Sequence, residues 1–412
     1  MAATQADLAR LDAILKDRPI QDALRDAYSD ATPMAEKITQ SLTLSGRKGI
    51  FPVSFGANEG IYARADKGTF GDSQVDQPLL AEVQPKYIYA LFEISGPTMA
   101  QSRDSAGSFE EALALQLEKT ATGIRLDMAR MILGKSTGVI CTVQSRTDGD
   151  TSVVHNPFGL TYKSNRPVRN LLRRNIPIDI YEAASSNIDV TNSRITSVVH
   201  SATGTTIDYD PAETGTVLAN GEVFRAGNKG LEPSGFFDAV GLTGSYLNIA
   251  RAGNDGWQGV VVDAAGGGGS AVALDPDALR DTNDTIMEVS GRTPTHIVAN
   301  YKQRRNIYNL YAPQIRYAPM VLPAGLREGT LAFDDLPIVA ERFFPPEHIG
   351  FLDAGVWYHA IAKDVEWIRG LDGSVLHFGA ATSDVFRAVA RTYRNFVCLF
   401  PAANGYVYGL EE

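Results

Sequence analysis

The sequence predicts an α+β fold with a small β-barrel inserted into it. Three observations support this prediction: one long amphipathic helix, a block of short β runs separated by turns, and long alternating strands near the carboxyl end. At 412 residues the chain is long enough for about two to three domains. Its formal net charge of −10 argues against a protein whose main role is to bind nucleic acid, because that role needs a basic face.

Residues 1–44 are predicted to form an arm without a core of its own. The arm has one short apolar stripe at helical spacing, made of Leu8, Leu11, Ile14 and Leu15. Pro19 interrupts this stripe. A stripe this narrow cannot make a domain, so it must pack on the rest of the chain or on a neighbouring molecule.

Residues 45–95 are predicted to form an extended, two-stranded hairpin that projects from the body. Glycines punctuate two short β-like runs, GIFPVSF and IYARA, and a firmer strand follows at Lys86–Ser95, rich in aromatic and β-branched residues. An isolated hairpin is marginal in water, so this segment also needs an external surface.

A long helix is predicted from Phe109 to Leu133. Ser108 and Glu111 form a capping box at its start, and Gly134 marks its end. Apolar residues recur within it at spacings near three to four and their sums: Phe109, Leu113, Leu117, Ile124, Met128 and Leu133. Gly123 lowers helix stability by about 1 kcal/mol relative to alanine, which suggests that another backbone approaches closely there.

Residues 138–226 are predicted to be all β, as a closed or nearly closed barrel. The β runs are GVICTV, IPIDIY, ITSVVH, TTIDYD and EVFRAG. The same segment holds the one notable basic run, which we interpret as a solvated face or a subunit contact, with a phosphate-binding face as the alternative: Arg166, Arg169, Arg173 and Arg174.

Residues 227–335 are predicted to be α/β, with helices at Asp275–Ser290 and Tyr301–Tyr311. Between them Thr295–Ala299 reads as a buried strand, and its His296 as a satisfied core residue. From Leu336 onward strands dominate: LPIVAE, HIGFLD, VWYHAIA, VEWIRG, VFRAVARTYRNFVCLF and YVYGL.

No recognisable catalytic or metal-binding motif occurs in the sequence. Cys141 and Cys398 lie in apolar surroundings typical of buried, inert thiols. The six histidines lack metal-ligand spacing, and no P-loop, dinucleotide fingerprint or nucleophile elbow occurs. We therefore predict no enzyme activity and no cofactor or metal. No signal peptide or membrane span is expected either.

The order of these elements resembles that of tailed-phage major capsid proteins with the Hong Kong 97-type fold. The resemblance runs over essentially the whole chain. Its most telling stretches are SFEEALALQLEKTATGIRLDMARMIL, GEVFRAGNKGLEPSGFFDAVGLTGSYLNIARAGNDGWQG and RAVARTYRNFVCLFPAANGYVYGL. They are similar to the spine helix, to the entry to the axial domain in members with a β-barrel insertion, and to the last peripheral strand with its final return.

The resemblance implies the following domains: an N-terminal arm at 1–44, an extension loop at 45–95, a peripheral domain with the spine helix at 96–137, an inserted barrel at 138–226, an axial domain at 227–335, peripheral strands at 336–395, and a return to the axial domain at 396–412. In this scheme we select seven residues as contacts between subunits: Leu8, Leu11, Ile14 and Leu15 in the arm, and Tyr87, Tyr89 and Phe92 at the base of the extension loop.

The implied function is to form pentamers and hexamers that close into an icosahedral shell around double-stranded DNA, without sequence-specific binding. The implied location is the virion capsid, assembled in the host bacterial cytoplasm. Implied partners are a portal protein, a separate scaffolding protein and, in some members, decoration or cement proteins. Lys48 and Lys67 could serve as the lysine of a covalent cross-link, but no acceptor is identified. The alternatives are an encapsulin-like shell around a cargo enzyme and a multidomain hydrolase with β accessory domains.

Overall fold

The computed structural model describes residues 33–56, 61–66, 78–102, 112–148, 150–160, 168, 170–182, 187–201, 204–211, 221–266, 270–311, 332–370, 375–380 and 383–411. These residues form two compact units. The first unit contains described residues within 86–130 and 361–394, and the second contains those within 33–85, 131–360 and 395–412.

The described part of the chain contains six α-helices and 21 strands. The helices are α1 (Pro33–Lys37), α2 (Gly96–Ser102), α3 (Ala112–Met131), α4 (Phe236–Ala239), α5 (Pro276–Ser290) and α6 (Tyr301–Tyr311). The strands are β1 (Ser41–Thr43), β2 (Gly49–Val53), β3 (Leu79–Val83), β4 (Lys86–Ser95), β5 (Val139–Asp148), β6 (Thr151–His155), β7 (Pro177–Tyr181), β8 (Ile188–His200), β9 (Thr205–Asp210), β10 (Glu222–Arg225), β11 (Ser245–Tyr246), β12 (Ile249–Ala250), β13 (Val260–Asp263), β14 (His296–Ala299), β15 (Ala332–Phe333), β16 (Leu336–Ala340), β17 (Ile349–Leu352), β18 (Trp357–Trp367), β19 (His377–Ala380), β20 (Ser383–Cys398) and β21 (Gly405–Tyr408).

The first unit is a sheet with α3 packed on one of its faces. β4 pairs antiparallel with β20 along its whole length, and β20 lies between β18 and β19 in the same sheet. Phe92 and Ile94 of β4 form a buried cluster with Leu115 of α3 and Ala388 of β20. Alternate residues of β4 therefore point into this core, as expected for a strand with one covered face.

The predicted long helix is present, with 20 residues described from Ala112 to Met131, about 30 Å. It ends before the predicted Leu133, and the carbonyls of Ile132 and Leu133 just after it accept the backbone N–H groups of Phe236 (2.8 Å) and Phe237 (3.1 Å). The capping box at residues 108–111 lies outside the described residues. The expectation of a close backbone at Gly123 is wrong among the described residues, because a Cβ there would meet no atom within 4 Å.

The second unit contains a closed β-barrel of six strands, in the order β10-β5-β6-β9-β8-β7. All five β runs expected between residues 138 and 226 are strands of this barrel. The sixth strand, β6, was missed because its five residues follow directly on the turn at Asp150. The barrel interior is filled by fully buried aliphatic side chains: Val143, Val154, Ile178, Ile180, Val190, Ile195, Ile207 and Val223. It is a packed core rather than a channel.

The second unit also contains a six-stranded mixed sheet in the order β13-β21-β17-β14-β16-β15. Both helices predicted beside it, α5 and α6, cover one face, where Ile286 and Ile307 pack with Ile297, Phe351 and Val407. The Asp275 side chain caps α5 by accepting the Asp277 N–H (3.0 Å). This local chemistry explains why the sequence located the helix start well.

An aromatic cluster belongs to the opposite face of this sheet. Phe237 packs edge-on against Tyr406 (5.4 Å between ring centroids) and against His348 (5.7 Å). Phe236 stacks on Trp357 at 6.2 Å. Aromatic rings bury a large apolar area and prefer such tilted and edge-to-face arrangements. The sheet is thus covered by helices on one side and by rings on the other.

Three sequence predictions need correction. VWYHAIA and VEWIRG form one continuous strand, β18, in which Lys363 and Asp364 are exposed strand positions rather than a turn. The run at Ile61–Ala65 is extended but pairs with no strand among the described residues. His296 is only half-buried, and its Nδ1 lies 2.9 Å from the Thr295 hydroxyl at the start of the strand.

The buried His348 makes subunit stability depend on pH. Burial lowers the pKa of His348 to about 3, with a smaller contribution from Lys135. An unfolded histidine titrates near 6.5, so below that value the unfolded chain holds more protons and the free energy of unfolding falls with pH. We expect His348→Phe to flatten this fall between about pH 6.5 and 4, measured by urea unfolding of unassembled subunits. An unchanged slope would contradict the assignment to His348.

Two glycines make a matched pair for testing the packing at the end of α3. A Cβ at Gly235 would lie 2.4 Å from the Met131 carbonyl oxygen and 2.6 Å from that of Gly134. We expect Gly235→Ala to destabilise the subunit by about 3 kcal/mol, because rigid backbone must move. Gly123→Ala should instead stabilise it by about 0.5–1 kcal/mol. Thermal unfolding of both variants tests this, and equal effects would contradict it.

Candidate assembly surfaces

The four predicted arm contacts, Leu8, Leu11, Ile14 and Leu15, lie outside the described residues, and so does Lys67. Their role remains a prediction. Lys48 is described, and its Nζ lies 2.6 Å from a carboxylate oxygen of Glu82 in a partly exposed ion pair.

The extension contains an antiparallel hairpin of β2 and β3, anchored on one face. Phe51 and Val83 on that face pack in a cluster with Leu44 and Val397. The Glu82 N–H donates to the Leu247 carbonyl (2.9 Å) and adds a backbone tie to the body. The hairpin therefore has a fixed base in its own chain.

The other face of the hairpin carries apolar side chains that remain about half exposed in the described part of the chain. Ile50 is 50% exposed and Leu80 is 56% exposed, and Pro52, which pairs with Leu80 across the hairpin, is exposed as well. Further along the extension Ile61 is 83% exposed. Clustered exposed apolar side chains mark surfaces that bind other proteins, whereas single ones are ordinary. We call Ile50, Pro52 and Leu80 the hairpin face.

A second exposed apolar surface lies on the first unit. Tyr87, Tyr89 and Leu91 alternate along β4 and point away from the core shared with α3, each more than half exposed. Tyr393 of β20 lies beside them, with its ring centroid 5.0 Å from that of Tyr87. We call Tyr87, Tyr89, Leu91 and Tyr393 the tyrosine face. The sequence identified two of its four members.

Phe92, the third residue predicted beside the extension, points the other way. It is buried in the core of the first unit, with its ring edge-on to Trp367 at 6.1 Å. Since successive residues of a strand point to opposite faces, Phe92 cannot share a face with Tyr87 and Tyr89. We therefore omit Phe92 from the proposed contacts.

Ion pairs and a hydrogen bond lie beside the aromatic rings of the tyrosine face. Arg387 pairs with the buried Glu93, and Arg391 pairs with Glu366 at 2.7 Å. The hydrogen bond from Arg391 lowers the pKa of Glu366 and keeps it ionised. The Tyr89 hydroxyl donates to that of Tyr393 (3.3 Å), which raises the pKa of Tyr89 and lowers that of Tyr393. The face combines ordered polar groups with aromatic area, as protein-binding surfaces do.

The described residues contain no group of three or more histidine, cysteine or acidic side chains placed to hold a metal. Cys141 and Cys398 are buried, and burial raises the pKa of both thiols, which makes them unreactive. No helix in the described part of the chain has the length and apolar character of a membrane span.

The hairpin face was not predicted from the sequence, although the sequence contains a signal for it. GIFPV and LLAEV each carry apolar residues at nearly every position, so an apolar side chain is left over on the face away from the body. Sequence alone cannot tell this from a strand buried on both faces. The structure separates the two cases, because among the described residues one face of the hairpin packs in a buried cluster and the other stays exposed.

Solved structures resemble this chain along nearly all of its length. The cyanophage A-1(L) capsid asymmetric unit aligns with a TM-score of 0.59 at 10% identity, covering 96% of this chain and 97% of that one. The capsid of a native GTA particle aligns with a TM-score of 0.54 at 10% identity, covering 96% of each chain. These matches confirm the predicted capsid fold of the Hong Kong 97 type. No protein-family model matches the sequence, and no curated protein matches it either.

Substitutions at neighbouring positions of β4 should separate core from contact residues. We expect Phe92→Ala to destabilise the isolated subunit by about 3–5 kcal/mol, because it empties a buried aromatic site. Tyr89→Ala, on the exposed face, should change stability by about 0.5 kcal/mol or less. Urea unfolding of both variants measures the difference. Similar losses in the two would contradict the assigned faces.

Proposed function

We propose that this chain is the major capsid protein of a tailed double-stranded DNA phage and builds an icosahedral shell from pentamers and hexamers. The observation that carries the proposal is the hairpin face. It is an exposed apolar surface on the hairpin of β2 and β3, whose other face is anchored in the core of its own chain. The described residues leave this surface about half exposed, and we assign its burial to another molecule. The similarity of the whole fold to capsid structures supports the choice of another copy as that molecule.

In this proposal the shell is held by many modest contacts rather than one large interface. The hairpin face and the tyrosine face would each contact a neighbouring subunit. The arm stripe of Leu8, Leu11, Ile14 and Leu15 would add a third contact. Repeated contacts around a closed shell add through multivalency, so each can be weak. The domain boundaries predicted from the sequence remain our proposal for how these parts are divided.

The remaining partners are inferred from the same role. A separate scaffolding protein would act during assembly in the bacterial cytoplasm, and a portal protein and, where present, decoration or cement proteins would bind the shell that becomes the virion capsid. The chain would enclose DNA without reading its sequence. Its net charge of −10 supports this, because an acidic wall does not hold the DNA that is driven past it. In this role the chain is structural and catalyses no reaction.

The two alternatives predict different particles. An encapsulin-like shell would enclose a cargo enzyme instead of nucleic acid, and a multidomain hydrolase would stay a monomer or dimer. Light scattering of the expressed protein separates the hydrolase from both shells. Nuclease-protected DNA in particles from infected or induced cells separates the phage from the encapsulin-like shell.

The hairpin face gives the sharpest test of assembly. We expect Leu80→Asp to leave the subunit folded, because Leu80 is already 56% exposed. The new charge would be buried in the contact between copies, so shells should be lost and soluble subunits or capsomers should remain. Sedimentation and negative-stain microscopy measure the outcome.

The matched control is Leu242→Asp, at a turn where Leu242 is 50% exposed and lies apart from both faces in sequence. We expect shells from this variant. Normal shells from Leu80→Asp, or loss of folding in it, would contradict the intersubunit role of the hairpin.

A further inference from the structure

The outer surface of α5 is an acidic stripe. Its exposed acids are spaced by four, three and four residues, which places them on one side of the helix: Asp277, Asp281, Asp284 and Glu288. The opposite side, with Leu279 and Ile286, is buried in the sheet core. Arg280 is the one cation of α5, and it lies 3.5 Å from Asp277 and 3.5 Å from Asp334.

The outer surface of α6 has the opposite charge. Its sequence, YKQRRNIYNLY, contains three cations and no acid. Tyr301 (49% exposed), Arg305 and Tyr308 (38% exposed) recur at i, i+4 and i+7 and share one exposed side. The Arg304 guanidinium lies over the Tyr301 ring, 5.3 Å from its centroid. Exposed tyrosine and arginine together are the side chains that contribute most to protein interfaces.

These two stripes lie at different ends of the same sheet. α5 packs on β13 and β21, and α6 packs on β14 and β16, in the strand order β13-β21-β17-β14-β16-β15. Ile286 of α5 and Ile307 of α6 belong to one buried cluster, so both helices cover the same sheet face. The helix-covered face of the sheet therefore carries negative charge toward one end and positive charge toward the other.

We infer that the acidic stripe of α5 in one copy docks on the basic stripe of α6 in the next copy, and that this contact closes the capsomer ring. The inference rests on the proposed shell function and adds the surfaces that join its subunits. Each stripe repels its own kind, which disfavours a two-fold contact of α5 with α5 or α6 with α6. A contact between two different surfaces can repeat head to tail from copy to copy, and it forms a ring when the rotation closes.

The same basic stripe could in principle bind nucleic acid, but two observations favour a second copy. The chain carries a complementary acidic stripe on the same sheet, and its net charge is −10, which opposes an overall attraction to DNA. Nucleic acid is therefore an outcome of the test rather than part of the inference.

Charge reversal tests the contact. Arg304→Glu with Arg305→Glu leaves α6 with one cation and two acids, and Asp281→Lys with Asp284→Lys reverses α5 in the same way. We expect each pair alone to lower capsomer yield about tenfold or more, measured by light scattering after size exclusion. The four changes together restore opposite charges, so yield should recover. Circular dichroism confirms that each subunit is folded.

The control pair is Arg125→Glu with Arg369→Glu, two exposed arginines outside both stripes that change the net charge equally. Wild-type capsomer yield from the α6 variant, or equal losses in the control pair, would overturn the inference. So would an α6 variant that forms normal shells but no longer retains DNA, because the stripe would then bind nucleic acid.

Zero-length cross-linking of the wild-type protein gives an answer that does not depend on variants. A carbodiimide joins a lysine amine to a carboxylate in direct contact, and particles assembled from mixed light and heavy-isotope subunits distinguish links between copies. We expect links from Lys302 to the acids of α5 between copies. Intersubunit links elsewhere without any between these helices would overturn the inference while leaving shell formation intact. Absence of any assembly in the wild type would instead refute the proposed function.

Discussion

Burial of the six-stranded sheet on both faces is the constraint on which the second unit depends. β14 and β17 consist almost entirely of apolar residues, and β17 is buried at all four positions, so neither face can be left to water. On one side α5 and α6 supply aliphatic side chains such as Ile286 and Ile307. On the other side the rings of Phe236 and Phe237 do the same work, carried there by the chain that follows the barrel. That same chain also holds the residues that follow α3, because the N–H groups of Phe236 and Phe237 donate to the carbonyls of Ile132 and Leu133.

Much of this architecture could be predicted, because it depends on local chemistry. The helix α6 was predicted with its observed bounds, and α5 within one residue, since Asp275 and Pro276 form a clear start signal. The barrel strands were recognised from β-branched runs between turns. The failures concern polar residues whose setting is tertiary. The sequence analysis divided VWYHAIA and VEWIRG into two strands, but Lys363 and Asp364 between them are exposed positions of one continuous strand, β18.

The candidate assembly surfaces could be predicted from the sequence only in part, for a related reason. Alternation along β4 already separates Tyr87 and Tyr89 from Phe92, so the orientation of that strand was available in the sequence. The hairpin face was not, because apolar residues occur on both of its sides and only the folded chain shows which side the body covers. Charge complementarity between α5 and α6 was equally hidden, since it requires knowing that both helices cover one sheet face.

The closed barrel limits backbone pairing between copies of the chain that are held close together. A sheet with open edges presents unpaired N–H and C=O groups, and identical molecules held side by side can zip together along them. The strands of the barrel pair all the way around, from β10 through β5, β6, β9 and β8 to β7 and back to β10, so they expose no such edge. Copies can therefore be concentrated at high local density without competing backbone pairing in this region, and recognition between them is left to side chains.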